Sequence, residues 1–196
     1  MASTRTVQTL GALFATMVIG AVILMVMETA PVRPPVGNLA AEEKPQEGLA
    51  AVVAQTDVPL QAIQWRNVVV HSTGGGEPSD VAERCHFVIE QTGGDVRVRA
   101  TDLWKGQRQG RHVVQLPWRE FNSDSIGICL VGDFAYRQPS RQQFQALVEL
   151  AQAVQRACAI PADHVYLHSD LDHRTGSPGA AFPGEAFSGS LLRPTR

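Results

Sequence analysis

Cysteine is scarce in this 196-residue chain. The three present are too few and too oddly numbered for a disulfide scaffold, and no Cys-x-x-Cys pair marks a structural zinc site. Charge of one sign is lacking as well. Seventeen Lys and Arg stand against nineteen Asp and Glu, a formal net charge of -2, which argues against a strongly basic nucleic-acid binder. No repeat and no sustained heptad is visible, so a collagen-like or coiled-coil rod is excluded. At 44% hydrophobic and 18% charged, the composition is that of a folding chain, and its length fits one domain of roughly 100–200 residues.

The longest stretch without charge runs over residues 6–27, between Arg5 and Glu28. At about 1.5 Å per helical residue it reaches about 33 Å, enough to cross a hydrocarbon core. We read segment 1–28 as a transmembrane anchor or a signal segment. The anchor is preferred, because the apolar run exceeds the roughly 7–15 residues of a signal h-region. No small-x-small cleavage site precedes Pro31. Either way the rest of the chain is exported, and Arg5 with the free amino terminus orients the globular part to the periplasmic or extracytoplasmic side of a cell membrane. Segment 29–58, interrupted by Pro31, Pro34, Pro35 and Pro45 and free of aromatic residues, reads as a tether. A short amphipathic helix within 49–53 is the only element it suggests.

The folded domain is placed at 59–190. A β-branched run at 65–71, stopped by Gly74, Gly75 and Gly76, is a buried strand. A second strand spans 85–90, and 95–100 returns as a hairpin after Gly93 and Gly94. The most apolar stretch, 125–134, is the central strand. Ser140 is a natural N-cap for a helix whose apolar face is Phe144, Leu147, Val148, Ala151, Val154 and Cys158. Residues 164–168 form the next strand. The pattern predicts an α/β fold: a mixed, mostly parallel sheet flanked by helices, with sites at strand ends and in the loops that follow.

The histidines fall at such ends. His71 closes the first strand and His168 closes the last, and two imidazoles on neighbouring strand ends can share a zinc ion given a third ligand. By themselves, two histidines so far apart in sequence are read first as unrelated surface residues. Cys129 and Cys158 are read as packing, His86 as structural, His164 as a solvated strand-start residue. Cys85 is open between a buried thiol and a functional position. Arg137, Arg141 and Arg156 are helix-surface charge.

The order of motifs adds a family. Trp65 to Val70-His71, Cys85-His86-Phe87-Val88-Ile89, Gly110-Arg111-His112, the run from Asn122 to Asp133-Phe134, and His168 to Thr175-Gly176-Ser177-Pro178-Gly179 occur in sequence. Together they resemble the type-2 N-acetylmuramoyl-L-alanine amidases and peptidoglycan recognition proteins, over residues 65–187. The resemblance implies a groove for muramyl peptides and, in active members, zinc-dependent hydrolysis of the amide between N-acetylmuramic acid and L-alanine. By position it assigns His71 and His168 as zinc ligands and Ser177 to the third ligand position, where the family has Cys or Asp. It assigns Cys85 to the position of a frequent catalytic Tyr, Thr175 to a further catalytic position, and His112 and Asn122 to the substrate groove. The segment between His71 and Cys85 is short, which trims a helix and part of the groove wall.

Two departures matter. A neutral hydroxyl at Ser177 brings no charge to offset Zn²⁺. Cys85 cannot reproduce a Tyr, although Asp170, Asp172 or His173 from the same loop could rebuild a third ligand. Two readings follow: a membrane-tethered zinc amidase acting on peptidoglycan, or a non-catalytic peptidoglycan-binding module of the same fold. Neither involves nucleic acid.

Overall fold

Apolar β-branched runs become strands here, and their burial on both faces explains why they lack alternation. Strands β1 (Asn67–Ser72), β2 (Phe87–Thr92), β3 (Asp95–Ala100), β4 (Ser125–Leu130) and β5 (Val165–Leu167) form one sheet in the order β3-β2-β4-β1-β5. β2, β4, β1 and β5 are mutually parallel, and β3 alone is antiparallel. All six residues of β4 are buried, as expected at the centre of a largely parallel sheet. The edge strand β3 alternates instead, and its Arg99 pairs diagonally with Glu90 of β2 at 2.9 Å. The hairpin between them turns at Gly93 and Gly94, both at positive φ, where a two-residue turn favours glycine.

The computed structural model describes residues 46–62, 64–76, 84–112 and 121–193, within a compact unit that begins at Lys44. The apolar run 6–27 and most of the stretch read as a tether lie outside those residues. Among the described residues no helix is long and apolar enough to cross a membrane.

One face of the sheet carries Val68, Val70, Phe87, Ile89, Ile126, Ile128 and Leu130. Against it lies the long helix, which after the short helices α1 (Gln46–Val53) and α2 (Asp102–Lys105) is α3 (Arg141–Cys158). Leu147, Leu150, Ala151 and Val154 of α3 are buried at the seam, and each large aliphatic there contributes about 1.5–3 kcal/mol. The Ser140 hydroxyl accepts the Gln143 N–H at 3.1 Å, the predicted N-cap, and Cys158 is core.

Helix α1 falls inside the stretch read as a tether. Val53 is buried, Leu49 and Val52 pack on the core, and the Trp104 indole N–H donates to the Val53 carbonyl at 2.9 Å. Two short helices, α4 (His168–Leu171) and α5 (Gly184–Gly189), complete the unit, and Phe187 of α5 is buried.

Candidate functional site

Because side chains alternate along a strand, the residues between the core positions face the other side of the sheet. Val88, Cys129 and His71 are level with one another across β2, β4 and β1 through the pairings Val88↔Cys129 and His71↔Cys129. β5 pairs with β1 up to Val70↔Leu167, so His71 and His168 come next on adjacent parallel strands. Their ring centroids are 4.5 Å apart. The expectation that these two histidines meet at neighbouring strand ends is what the register produces. They line a cavity of about 130 Å³ together with Thr73, Arg84, Cys85, Arg111, His112 and Cys129.

His112 lines this cavity from a buried position. It is 2% exposed, and its ring centroid is 5.4 Å from that of His71. Two glycines make the room: a Cβ on Gly127 of β4 or on Gly110 would fall well inside contact distance of the His112 ring. Its Nε2 faces the Ser125 carbonyl at 3.1 Å. That oxygen can only accept, so Nε2 carries the proton and Nδ1 presents a lone pair. The Asn122 side-chain oxygen accepts the His112 backbone N–H at 2.7 Å. Asn122 thus holds the His112 backbone in place. His86 is structural: its Nδ1 accepts the Gly127 N–H and its Nε2 meets the Arg108 carbonyl.

Burial is also the first cause of the electrostatics. It pushes the His112 pKa down to about 3 and that of His86 to about 4. His71 is held well below the ordinary imidazole range by burial and then by the neighbouring His112 and His168. His168, half-buried, is lowered in the same sense by burial, with Asp172 opposing. The imidazoles are thus neutral at pH 7, the form in which a ring nitrogen ligates a metal. Cys85 is a buried thiol, raised well above its ordinary value first by its hydrogen bond with Cys129 and then by burial.

The loop after His168 does not turn its polar groups into this cavity. The Ser177 hydroxyl accepts the Ser72 backbone N–H at 2.9 Å. The Thr175 hydroxyl accepts the Ser177 N–H at 3.2 Å, and both residues line an adjoining cleft with Asp133. Asp170 accepts the Leu167 N–H at 2.8 Å. Asp172 is bound in a fork by Arg174, which holds its carboxyl well below the usual range. His173 is exposed. None of Asp170, Asp172 and His173 lines the cavity, so the loop supplies no substitute third ligand from them. The shortened groove wall predicted between His71 and Cys85 falls mainly on 77–83, outside the described residues.

Among the described residues, two buried side-chain nitrogens have no hydrogen-bond partner: His71 Nε2 and His112 Nδ1. The donor atoms of His71, Cys85 and His112 lie within 4.8 Å of one another. Neutral imidazole nitrogens and a thiol suit a borderline-soft ion, so these residues fit zinc. Arg84, Arg111 and Cys129 were not singled out from the sequence as site residues. The readable signal was Gly127, a glycine inside an otherwise β-branched strand, which marks close approach of another group.

No curated protein sequence matches the chain. Solved structures do share its fold. The amidase LysC from Clostridium intestinale is 21% identical over 71% of this chain and 93% of its own, with a TM-score of 0.52. The amidase AmiD from E. coli, solved with its substrate anhydro-N-acetylmuramic acid-L-Ala-D-gamma-Glu-L-Lys, is 22% identical over 67% of this chain and 59% of its own, with a TM-score of 0.54. AmpDH3 from Pseudomonas aeruginosa, in complex with anhydromuramic pentapeptide, is 21% identical over 65% and 60%, with a TM-score of 0.53. The sequence pattern described as N-acetylmuramoyl-L-alanine amidase matches residues 61–180, which is more than half the chain, and the chain belongs to that family.

Proposed function

We propose that this chain is an exported peptidoglycan-directed domain that takes muramyl peptides at the His71 pocket and slowly hydrolyses the amide between N-acetylmuramic acid and L-alanine. The observation that carries the reading is the buried histidine cluster at the carboxyl ends of parallel strands, with two unpartnered nitrogens, in a member of the amidase family. His71 would hold a zinc ion, with the remaining donors drawn from the same pocket. Bound there, zinc supplies carbonyl polarisation and a water of lowered pKa. Arg84 and Arg111 at the lining offer guanidinium forks to the carboxylates of a stem peptide. The half-buried neutral His168 stands beside His71, within reach of solvent, where an imidazole can take or return a proton. The apolar run at 6–27 supports export and attachment to a membrane, with the domain on the extracytoplasmic side.

A non-catalytic binding module is the second reading, and two observations favour it. The Ser177 hydroxyl is engaged by Ser72, and no carboxylate lines the His71 cavity among the described residues. Incubating the full chain with purified sacculi separates the readings. We expect it to sediment with sacculi and, with zinc, to release peptides beginning with free L-alanine, a release abolished in His71→Ala. Sedimentation without any release establishes the binding module. Neither sedimentation nor release overturns both readings.

A further inference from the structure

The third ligand is the unsolved part of this site. The position that supplies it in the family holds Ser177, whose oxygen is committed to a backbone N–H and which does not line the cavity with His71. The opposite wall carries donors in excess of what hydrogen bonding uses. His71 is 8% and His112 2% exposed, and each has one nitrogen with no partner. Leaving such an atom unpaired costs about 1–3 kcal/mol, so two of them on residues that line one cavity are a standing cost that a bound cation removes. The tautomer is already set for that purpose. His112 gives its Nε2 proton to the Ser125 carbonyl, as a metal-ligating histidine commonly does with its outer nitrogen, and its inner lone pair is free. The Cys85 sulfur lies within 4.8 Å of a nitrogen of each ring.

Resting on the metal-bearing pocket proposed above, we infer that the metal is held by His71, Cys85 and His112, so that Cys85 and His112 take the ligand places that the family resemblance gives to Ser177 and His168. The three donor atoms span at most 4.8 Å. Zinc at about 2.0–2.1 Å from nitrogen and about 2.3 Å from sulfur holds tetrahedral ligands about 3.5 Å apart, so closure by roughly 1 Å completes the site. Cys85 gives up its thiol proton to solvent as the metal binds, contributing the negative charge that Ser177 lacks. Cys129 remains behind Cys85 as its hydrogen-bond neighbour. His168, 4.5 Å from His71 between ring centroids and lining the same cavity, would stay outside this ligand set.

The test is metal binding by the full chain, purified in detergent. Stripped protein is titrated with Co²⁺ and with Zn²⁺, and the zinc form is examined by X-ray absorption fine structure. We expect one tightly bound equivalent, a sulfur-to-cobalt charge-transfer band, and one sulfur among the zinc neighbours. Cys85→Ser should abolish the band and weaken binding about tenfold or more, while Cys129→Ser keeps the band. The absorption measurement needs no variant, so a Cys85→Ser protein that fails to fold does not spare the inference. A zinc shell of nitrogen and oxygen only, a band that survives Cys85→Ser, or a chain that binds no metal each overturns it. Sedimentation with sacculi is read on the same samples. Retained sedimentation with an all-nitrogen-and-oxygen shell refutes the ligand set alone, whereas lost sedimentation refutes the peptidoglycan reading.

Discussion

His112 shows how one small residue fixes a site. The Cε1–Nδ1 edge of its ring sits against β4 because residue 127 has no side chain there, and the Gly127 N–H is at the same time bound by the His86 ring. Adding a methyl group puts carbon into the His112 ring and within 3.3 Å of the Cys85 Cα. A buried ring and a backbone both have little room to yield, so overpacking of about 1–3 kcal/mol is expected for Gly127→Ala. Equilibrium urea melts would read it, alongside a loss of Co²⁺ binding as His112 is displaced. A variant as stable as the parent would mean that the ring has another place to go. His71 and His168 were legible in the sequence because each ends an apolar strand run. The depth of His112 was not, since it depends on a loop meeting a strand elsewhere in the chain.

Elements were legible wherever a period was strong. The hairpin at Gly93-Gly94, the central β4 and the capped helix α3 all stand where apolar spacing placed them. Helix α1 was legible only in part: the sequence suggests a short helix within 49–53, the structure has it over Gln46–Val53, and its packing on α3 and β3 could not be read from so short a segment. Within α3, Cys158 gives a handle on how tightly the last turn is packed. Burial pushes its thiol up to about 11 from an ordinary value of 9.0. Between those values the unfolded chain sheds a proton that the native chain keeps. Stability is therefore unaffected below pH 9 and falls as pH rises toward 11, by up to about 2 kcal/mol from this group. Urea midpoints from pH 8.5 to 11 should fall more steeply in the parent than in Cys158→Ala. Equal slopes would place the thiol in contact with water.

For the whole molecule, the decisive point is where the folding unit starts. Composition puts the boundary at 58/59, after a Pro-rich tether, whereas the compact unit begins at Lys44. The difference is helix α1. Trp104 is fully buried, its indole N–H donates to the Val53 carbonyl, and the Asp57 N–H is bound by the Lys105 carbonyl at 2.8 Å. Removing residues before 59 takes away the buried Val53, about 1.5–3 kcal/mol on area grounds, and leaves the indole either unpaired or newly wet. Against a total stability of about 5–15 kcal/mol that is a large share. Trp104 in turn packs against Phe87, with ring centroids 4.7 Å apart, and Phe87 leads into β2 directly after Cys85 and His86. Trp104 also meets the His86 ring, 6.3 Å away between centroids, so damage at α1 reaches the site through these aromatic contacts. A fragment of residues 44–196 should unfold in one transition with the urea midpoint of the full chain, and a fragment of 59–196 should lose about 2–4 kcal/mol and bind Co²⁺ more weakly. If the two fragments melt together and bind metal equally, α1 belongs to the tether and the domain begins where composition placed it.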